Sequence, residues 1–487
     1  MAFAVLIGLV AVGIRVWAFG GLTFGIGFDD GRYASVAKNL ANGYLPTGDG
    51  DWFGTRIVLI WPVALLFRLF GTSDYTAVAW PLVGSLVGVL AAYLIGRDIA
   101  GPRVGLVASA IVAVAPLDVL FATRLRPDSW MPALIALAIW CALRARRADQ
   151  RVVIWALASG VALGCAWSVR ESAPLMVPVL AFALWPRGLR ALTAAAAGAI
   201  LIPILAGLTF ASLGGGFGRP LTSTAGTAVW RNPVTAWDQN PSYIWMLWRD
   251  IDDGRGLFFM LLPVVVIIAG VLLWRRPRAA LIPAIWIAWV SLYLEFGTLV
   301  NVAKPARYLT LCVIPFAILV ALAVDSRWAA LAPIGLAAIA ISALSPLPGR
   351  EHRADDVVLL NRVAARLADL GPGPVLTENY TWFVKLRAFR ATARIPVARV
   401  AEPTYLTREE RRQNRMLRPL PKLEPFRGGF VVTGPVQRRS GWPLNWGVFR
   451  RQVTERVPFD KLVRVATVGT ATIYRWPEGE ALRRPVR

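Results

Sequence analysis

Two adjacent aspartates open the stretch Phe28-Asp29-Asp30-Gly31-Arg32-Tyr33-Ala34-Ser35-Val36-Ala37-Lys38-Asn39-Leu40. Tyr33, Val36, Ala37 and Leu40 recur at helical spacing, which predicts an amphipathic helix lying on a membrane surface. Asp29 or Asp30 then stands at its N-cap, and Gly43 follows its end. Capping accounts for one aspartate. A pair with Arg32 beside it suits a general base. The helix N-terminus and the guanidinium both hold a carboxylate ionised and able to take a proton from an acceptor hydroxyl.

Other ionisable residues stand at the ends of apolar blocks: Arg56, Arg124, Arg126, Asp128, Arg170, Glu171, Glu295 and Arg307. Charges at the ends of membrane spans that face a cavity mark a functional site, and arginine forks match phosphate oxygens bidentately. Two roles are open to Asp128: orienting Arg126, or helping to hold a divalent metal ion. The chain has one histidine, His352, and three cysteines, Cys141, Cys165 and Cys312, all within apolar blocks. Ser-His-Asp catalysis, a histidine-rich zinc centre and a disulfide framework are excluded, so carboxylates must supply any acid–base chemistry.

The elements that position these residues are membrane spans. Of 487 residues, 56% are hydrophobic and 17% charged, too apolar a balance for a soluble domain to bury. The apolar residues come in blocks of about twenty, the length that crosses hydrocarbon as a helix. Eleven spans are expected, near 2–19, 76–96, 104–122, 130–143, 152–169, 172–186, 191–212, 257–274, 279–296, 308–324 and 328–345. Alternate connections are short and basic: Arg97/Arg103, Arg144/Arg146/Arg147/Arg151, Arg187/Arg190, Arg275/Arg276/Arg278 and Arg327. The positive-inside rule makes these cytoplasmic. The aspartate pair, the long loops 20–75 and 213–256, and the C-terminal segment then face outward. Trp230, Trp237, Tyr243, Trp245 and Trp248 in the second long loop suit an interfacial aromatic belt better than sugar stacking.

From residue 350 onward the composition changes, with 27 basic and 13 acidic residues carrying +14 of the chain's net +24. Apolar runs shorten to strand length at Pro374–Thr377, Ile395–Val400, Gly429–Thr433, Leu462–Val465 and Thr470–Tyr474. A helical pattern at Val357–Leu370 ends at Gly371-Pro372-Gly373-Pro374. Two domains are expected: an α-helical integral membrane domain over 1–348, and a small extracytoplasmic α/β domain over 349–487. Only five of the 53 basic residues are lysines. An arginine bias beside so much alanine fits a GC-rich genome, and the net +24 suits membrane lipids and phosphate partners rather than nucleic acid. No internal repeat is visible, which weighs against a transporter built from duplicated bundles.

The Asp-Asp-Gly-Arg-Tyr-Ala helix resembles the acidic motif in the first outer loop of the GT-C glycosyltransferases. Within that superfamily it is most similar to the branch of protein O-mannosyltransferases and the lipid A aminoarabinose transferase. Leu94-Ile95-Gly96-Arg97-Asp98-Ile99-Ala100-Gly101 is similar to that branch's cytoplasmic turn after the second span. The stretch from Ala115-Pro116 to Thr123-Arg124-Leu125-Arg126-Pro127-Asp128 resembles its third span and following outer loop. Arg170-Glu171-Ser172-Ala173 and Arg307-Tyr308-Leu309 fall where the family has basic residues at outer span ends. The resemblance covers about residues 1–345. In place of the aminoarabinose branch's Lys-Pro-Pro element stands Phe53-Gly54-Thr55-Arg56, and the second motif acid is Asp30 rather than glutamate, so the sugar does not carry over.

The resemblance implies an inverting glycosyltransferase of a bacterial cytoplasmic (inner) membrane. Its donor would be a polyprenyl-phosphate-linked sugar and its acceptor a hydroxyl of a lipid, glycan or protein. Asp29 is expected as the base, with Asp30 and Asp128 as the other catalytic acids. Arg32, Tyr33, Arg56, Arg126, Arg170, Glu171, Arg307 and Tyr308 are expected around the substrates. No cofactor is implied with certainty, and a divalent metal ion stays open. A transporter or flippase for a lipid-linked or anionic solute would use the same arginines. It would need them near the membrane midplane, whereas here they gather at one face.

Overall fold

The computed structural model describes residues 2–19, 28–44, 52–148, 150–214, 216–218, 262–296, 309–324, 359, 362–377, 397–399, 426–433 and 457–478. The chain divides into two compact units, residues 1–20 with 36–351, and residues 21–35 with 352–487.

The described elements up to residue 324 are helical. They are α1 (Ala2–Phe19), α2 (Phe28–Ala41), α3 (Ile57–Phe70), α4 (Asp74–Ala100), α5 (Pro102–Val114), α6 (Pro116–Ala122), α7 (Pro127–Arg147), α8 (Val152–Val169), α9 (Val177–Leu184), α10 (Gly188–Ser212), α11 (Leu262–Arg275), α12 (Pro277–Phe296) and α13 (Thr310–Val324). Among the described residues, five helices are long and apolar enough to cross a membrane, or six if the bent pair α5–α6 counts as one span. The eleventh expected span, 328–345, and the loop 213–256 with its tryptophans lie largely outside the described residues.

Two local features differ from the sequence expectation, and the short basic connection expected after residue 186 is present. The first outer loop, in which the sequence marked only the helix near 28–40, also contains α3, whose 14 largely apolar residues fall short of the roughly 20 that a span needs. The expected continuous span 104–122 is broken by 61° between α5 and α6. Pro116 has no N–H to continue the ladder, and the chain tightens just before it, with Ala115 N donating to the Val112 carbonyl at 3.2 Å. Residues 185–187 form a 3-10 turn, and Gly188 at φ +71° separates α9 from α10, a backbone angle that glycine adopts without a Cβ penalty.

The helix α13 is buried along nearly its whole length and touches α4, α5, α6, α7, α11 and α12. A helix that is apolar all round belongs at the centre of a bundle. Helices α8 and α10 pack at backbone distance: a Cβ on Gly160 would come within 1.9 Å of the Ala195 carbonyl oxygen, and one on Gly198 within 2.3 Å of that of Leu157. Small residues at such a seam are how membrane helices approach closely without a hydrophobic driving force.

In the second unit five strands form one mixed sheet in the order β2-β1-β3-β5-β4, with β1 (Val375–Thr377), β2 (Val397–Arg399), β3 (Phe430–Thr433), β4 (Val463–Val468) and β5 (Ala471–Arg475). Each strand falls within or overlaps one of the five apolar runs named above. β1 pairs parallel with β2 and β3, while β5 lies antiparallel to β3 and β4. Alternating side chains cover both faces. Val375, Phe430, Val432 and Ile473 pack with Val363 and Leu367 of the helical residues 362–369 on one side. Leu376, Val431 and Trp476 pack with Phe426 and Val457 on the other.

Candidate functional site

The N-terminus of α7 is built for charge. Arg126 occupies the N-cap position with extended backbone, Pro127 begins the helix, and Asp128 sits in its first turn. There a carboxylate faces free backbone N–H groups. The C-terminus of α8 carries Arg170 at its C-cap position, its N–H returning to the Ala166 carbonyl at 2.9 Å. A cation at that end opposes the helix dipole in the favourable sense. The two ends meet: Arg170 Nη1 donates to Asp128 Oδ1 at 2.6 Å, with side chains 4% and 1% exposed.

The residue after Arg170 extends the string. Glu171 Oε2 accepts from Arg56 Nη2 at 2.7 Å. Arg56 stands at the N-cap position of α3, its carbonyl accepting from Leu59 N and Ile60 N at 3.0 and 2.9 Å. An arginine there lies against the positive end of a helix, and Glu171 offsets that placement. Arg56, Glu171, Arg170 and Asp128 thus form two ion pairs joined through one peptide bond. Arg124 is buried and Arg126 half-buried on the adjoining segment. Across this segment four guanidiniums accompany two carboxylates, an excess of positive charge suited to an anion.

Asp128 therefore holds Arg170, where the sequence had left it to orient Arg126 or to bind a metal. Its second oxygen, Oδ2, is buried without a hydrogen-bond partner among the described residues. No group of three histidine, cysteine or acidic side chains that could hold a metal ion exists among those residues.

The helix α2 begins at Phe28, so Asp29 and Asp30 lie in its first turn rather than ahead of it at the N-cap. The dipole argument is unchanged, since the first four N–H groups of a helix lack partners within it. Asp30, Tyr33, Val36 and Ala37 are buried, and the helix ends in a turn at Gly43, φ +83°. On the same helix burial pushes the Lys38 ammonium below its ordinary pKa. The side chains of Asp29, Arg32 and Glu295, and the whole of Arg307, Tyr308 and His352, lie outside the described residues.

One buried charge cluster escaped the sequence reading. Arg15, fully buried on α1, donates from Nε to Ser85 Oγ at 2.7 Å and from Nη1 to the carbonyls of Ala11 and Ala113 at 2.9 and 2.8 Å. Its Nη2 pairs with Asp118, which also accepts from Ser85. The pair sits at the α5–α6 break, where Ala113 lies in the last turn of α5, a position whose carbonyls have no later helical N–H to accept from. A lone arginine inside an apolar span was the signal available to find it.

Over residues 56–212, about a third of the chain, the sequence matches the family model described as dolichyl-phosphate-mannose-protein mannosyltransferase. The fold is similar to that of ArnT, the lipid A aminoarabinose transferase, from Cupriavidus metallidurans. Against its apo structure the identity is 15%, with 97% of each chain covered and a TM-score of 0.66. Against ArnT bound to undecaprenyl phosphate the identity is 14%, with 97% of this chain and 98% of that chain covered and a TM-score of 0.63. The Archaeoglobus fulgidus oligosaccharyltransferase tethered with an acceptor peptide is 13% identical, with 89% of this chain and 68% of that chain covered and a TM-score of 0.50. No curated protein sequence matches the chain. The matched segment begins at Arg56 and contains Asp128, Arg170 and Glu171. The likeness to GT-C glycosyltransferases read from the first outer loop and the span-end motifs is thus found independently, in the fold and in this segment.

Proposed function

We propose that the chain is a multi-pass membrane glycosyltransferase. It moves a sugar from a polyprenyl-phosphate carrier to an acceptor hydroxyl on the extracytoplasmic face, where the C-terminal sheet domain also lies. Support comes from the fold shared with ArnT, one structure of which holds undecaprenyl phosphate, and from the family segment 56–212. The observation that carries the reading is the joined string Arg56–Glu171 and Arg170–Asp128 within that segment.

In this mechanism Asp29 accepts the acceptor's proton as its oxygen attacks the anomeric carbon, and the bond from that carbon to the carrier phosphate breaks. One attack with no covalent enzyme intermediate inverts the anomeric configuration. Negative charge gathers on the leaving phosphate, and preorganised guanidiniums stabilise charge that develops in the transition state more than charge already present. Arg56, Arg126, Arg170 and Arg307 take that role. Asp128 and Glu171 hold Arg170 and Arg56 in place, Asp30 stands beside the base, and Arg32, Tyr33 and Tyr308 line the substrates. The acceptor is a lipid, glycan or protein.

The test is transfer in membranes supplied with undecaprenyl-phosphate-linked mannose, glucose or aminoarabinose. Asp29→Asn retains a polar side chain at the helix start but cannot take a proton, so transfer falls about 100- to 10,000-fold while the protein accumulates normally. Full activity in Asp29→Asn with loss in Asp30→Asn moves the base by one residue. Full activity in both overturns the mechanism.

A further inference from the structure

Behind the two ion pairs lies a pair of indoles that the mechanism does not use. Trp80 on α4 donates from Nε1 to the Val58 carbonyl of α3 at 2.8 Å, two residues beyond Arg56. Trp130 on α7, two residues beyond Asp128, donates from Nε1 to the Trp80 carbonyl at 2.8 Å. The two rings stack with centroids 4.3 Å apart and planes 28° from parallel. Space for this stack comes from Gly84, one turn along α4, where a Cβ would meet the Trp130 ring at 2.7–2.8 Å. From Arg56 the contacts run through Glu171 and Arg170 to Asp128, then through Trp130 and Trp80 to Val58 and back. The circuit closes on itself.

We infer that Trp80 and Trp130 are positioning residues, a rigid tie that sets the separation of the Arg56 and Asp128–Arg170 arms so that both can engage one phosphate. The inference rests on the function proposed above. The ion pairs join the arms at their charged tips, whereas the indole contacts join α3 to α4 and α4 to α7 further back. Arginine forks reward geometry steeply, since bidentate phosphate contact needs both donors aligned, and misplacement of about 1 Å is enough to lose binding contacts. Indoles suit the tie: large, flat and possessing one directed donor each. Neither has to touch substrate.

Undecaprenyl phosphate itself is the probe, titrated onto the purified full chain in detergent. Trp80→Phe keeps an aromatic ring in the stack and removes the Nε1–H donor. It and Glu171→Gln each weaken binding by about 2- to 10-fold, the range of one net hydrogen bond. Because Trp80 acts through the arm that Glu171 holds, the double variant binds no more weakly than the worse single one. Multiplying losses, or wild-type affinity in Trp80→Phe, overturn the tie. Should Trp80→Phe fail to accumulate, Trp130→Phe carries the same test against Glu171→Gln. A wild-type chain that does not bind the probe removes the proposed function and the tie with it, whereas a binding wild type with multiplying variants removes the tie alone.

Discussion

Arg170 and Asp128 lie 42 residues apart, yet their side chains meet at 2.6 Å with almost no exposure to solvent. Burial makes the pair costly to break from one side only, because the remaining charge stays desolvated. Asp128→Asn is expected to destabilise the chain by about 3–5 kcal/mol and to lower the thermal unfolding midpoint in detergent. Replacing both, Arg170→Met with Asp128→Leu, restores much of that midpoint without restoring sugar transfer. A double variant as unstable as the single one shows that the charges are held by more than each other.

Arg15 serves four acceptors through three nitrogens, and a lysine ammonium cannot span that fork. Arg15→Lys keeps the charge but leaves the Ala113 carbonyl or Ser85 unserved at the α5–α6 break. A midpoint well below wild type is expected, with Asp118→Asn falling similarly. An Arg15→Lys variant as stable as wild type leaves the charge alone, not the fork, as what the site needs.

Gly160 and Gly13 are both helical glycines, and only one has a neighbour in its way. A Cβ at Gly160 meets the Ala195 carbonyl oxygen at 1.9 Å, whereas one at Gly13 meets nothing within 4 Å. Gly160→Ala forces α8 and α10 apart and costs about 1–3 kcal/mol or more. Gly13→Ala is neutral, or stabilising by up to about 1 kcal/mol through reduced backbone entropy in the unfolded chain. Thermal unfolding of both variants checks the contrast, and equal midpoints would sink it.

The proposed orientation is read by cysteine labelling. Cysteines placed at Asp49 and Pro435 react with an impermeant thiol reagent in intact cells, the outer membrane permeabilised where there is one. A cysteine at Asp149 does not. Labelling at Asp149 reverses the topology and removes the proposed catalytic face.

What could be read without the structure was what depends on neighbours in the chain. Blocks of apolar residues announced α1, α4, α7 and α8, because a membrane helix satisfies its own backbone and needs about twenty apolar residues in a row. The 3–4 spacing of Tyr33, Val36 and Ala37 announced the helix α2 as one lying on a membrane surface; that Asp30, Gly31 and Ala34 are buried with them was not in that spacing. Short apolar runs marked where β1 to β5 fall. The same local rules missed α3, too short to count as a span, and ran α5 into α6 across Pro116.

The site divides in the same way. Arg56, Asp128, Arg170 and Glu171 stood out because acids and bases gather together at the outer ends of apolar helices, where they can line a cavity. Nothing in their spacing says that Asp128 takes Arg170, that Arg56 takes Glu171, or that Trp80 and Trp130 join the two arms from behind. Arg15 and Asp118, 103 residues apart, were passed over as ordinary members of their segments. Composition and periodicity record which face of a helix avoids water or lipid. Which helix end meets which is settled by packing, where Gly84 admits an indole and the glycines of α8 and α10 admit a backbone. Only the folded bundle decides it.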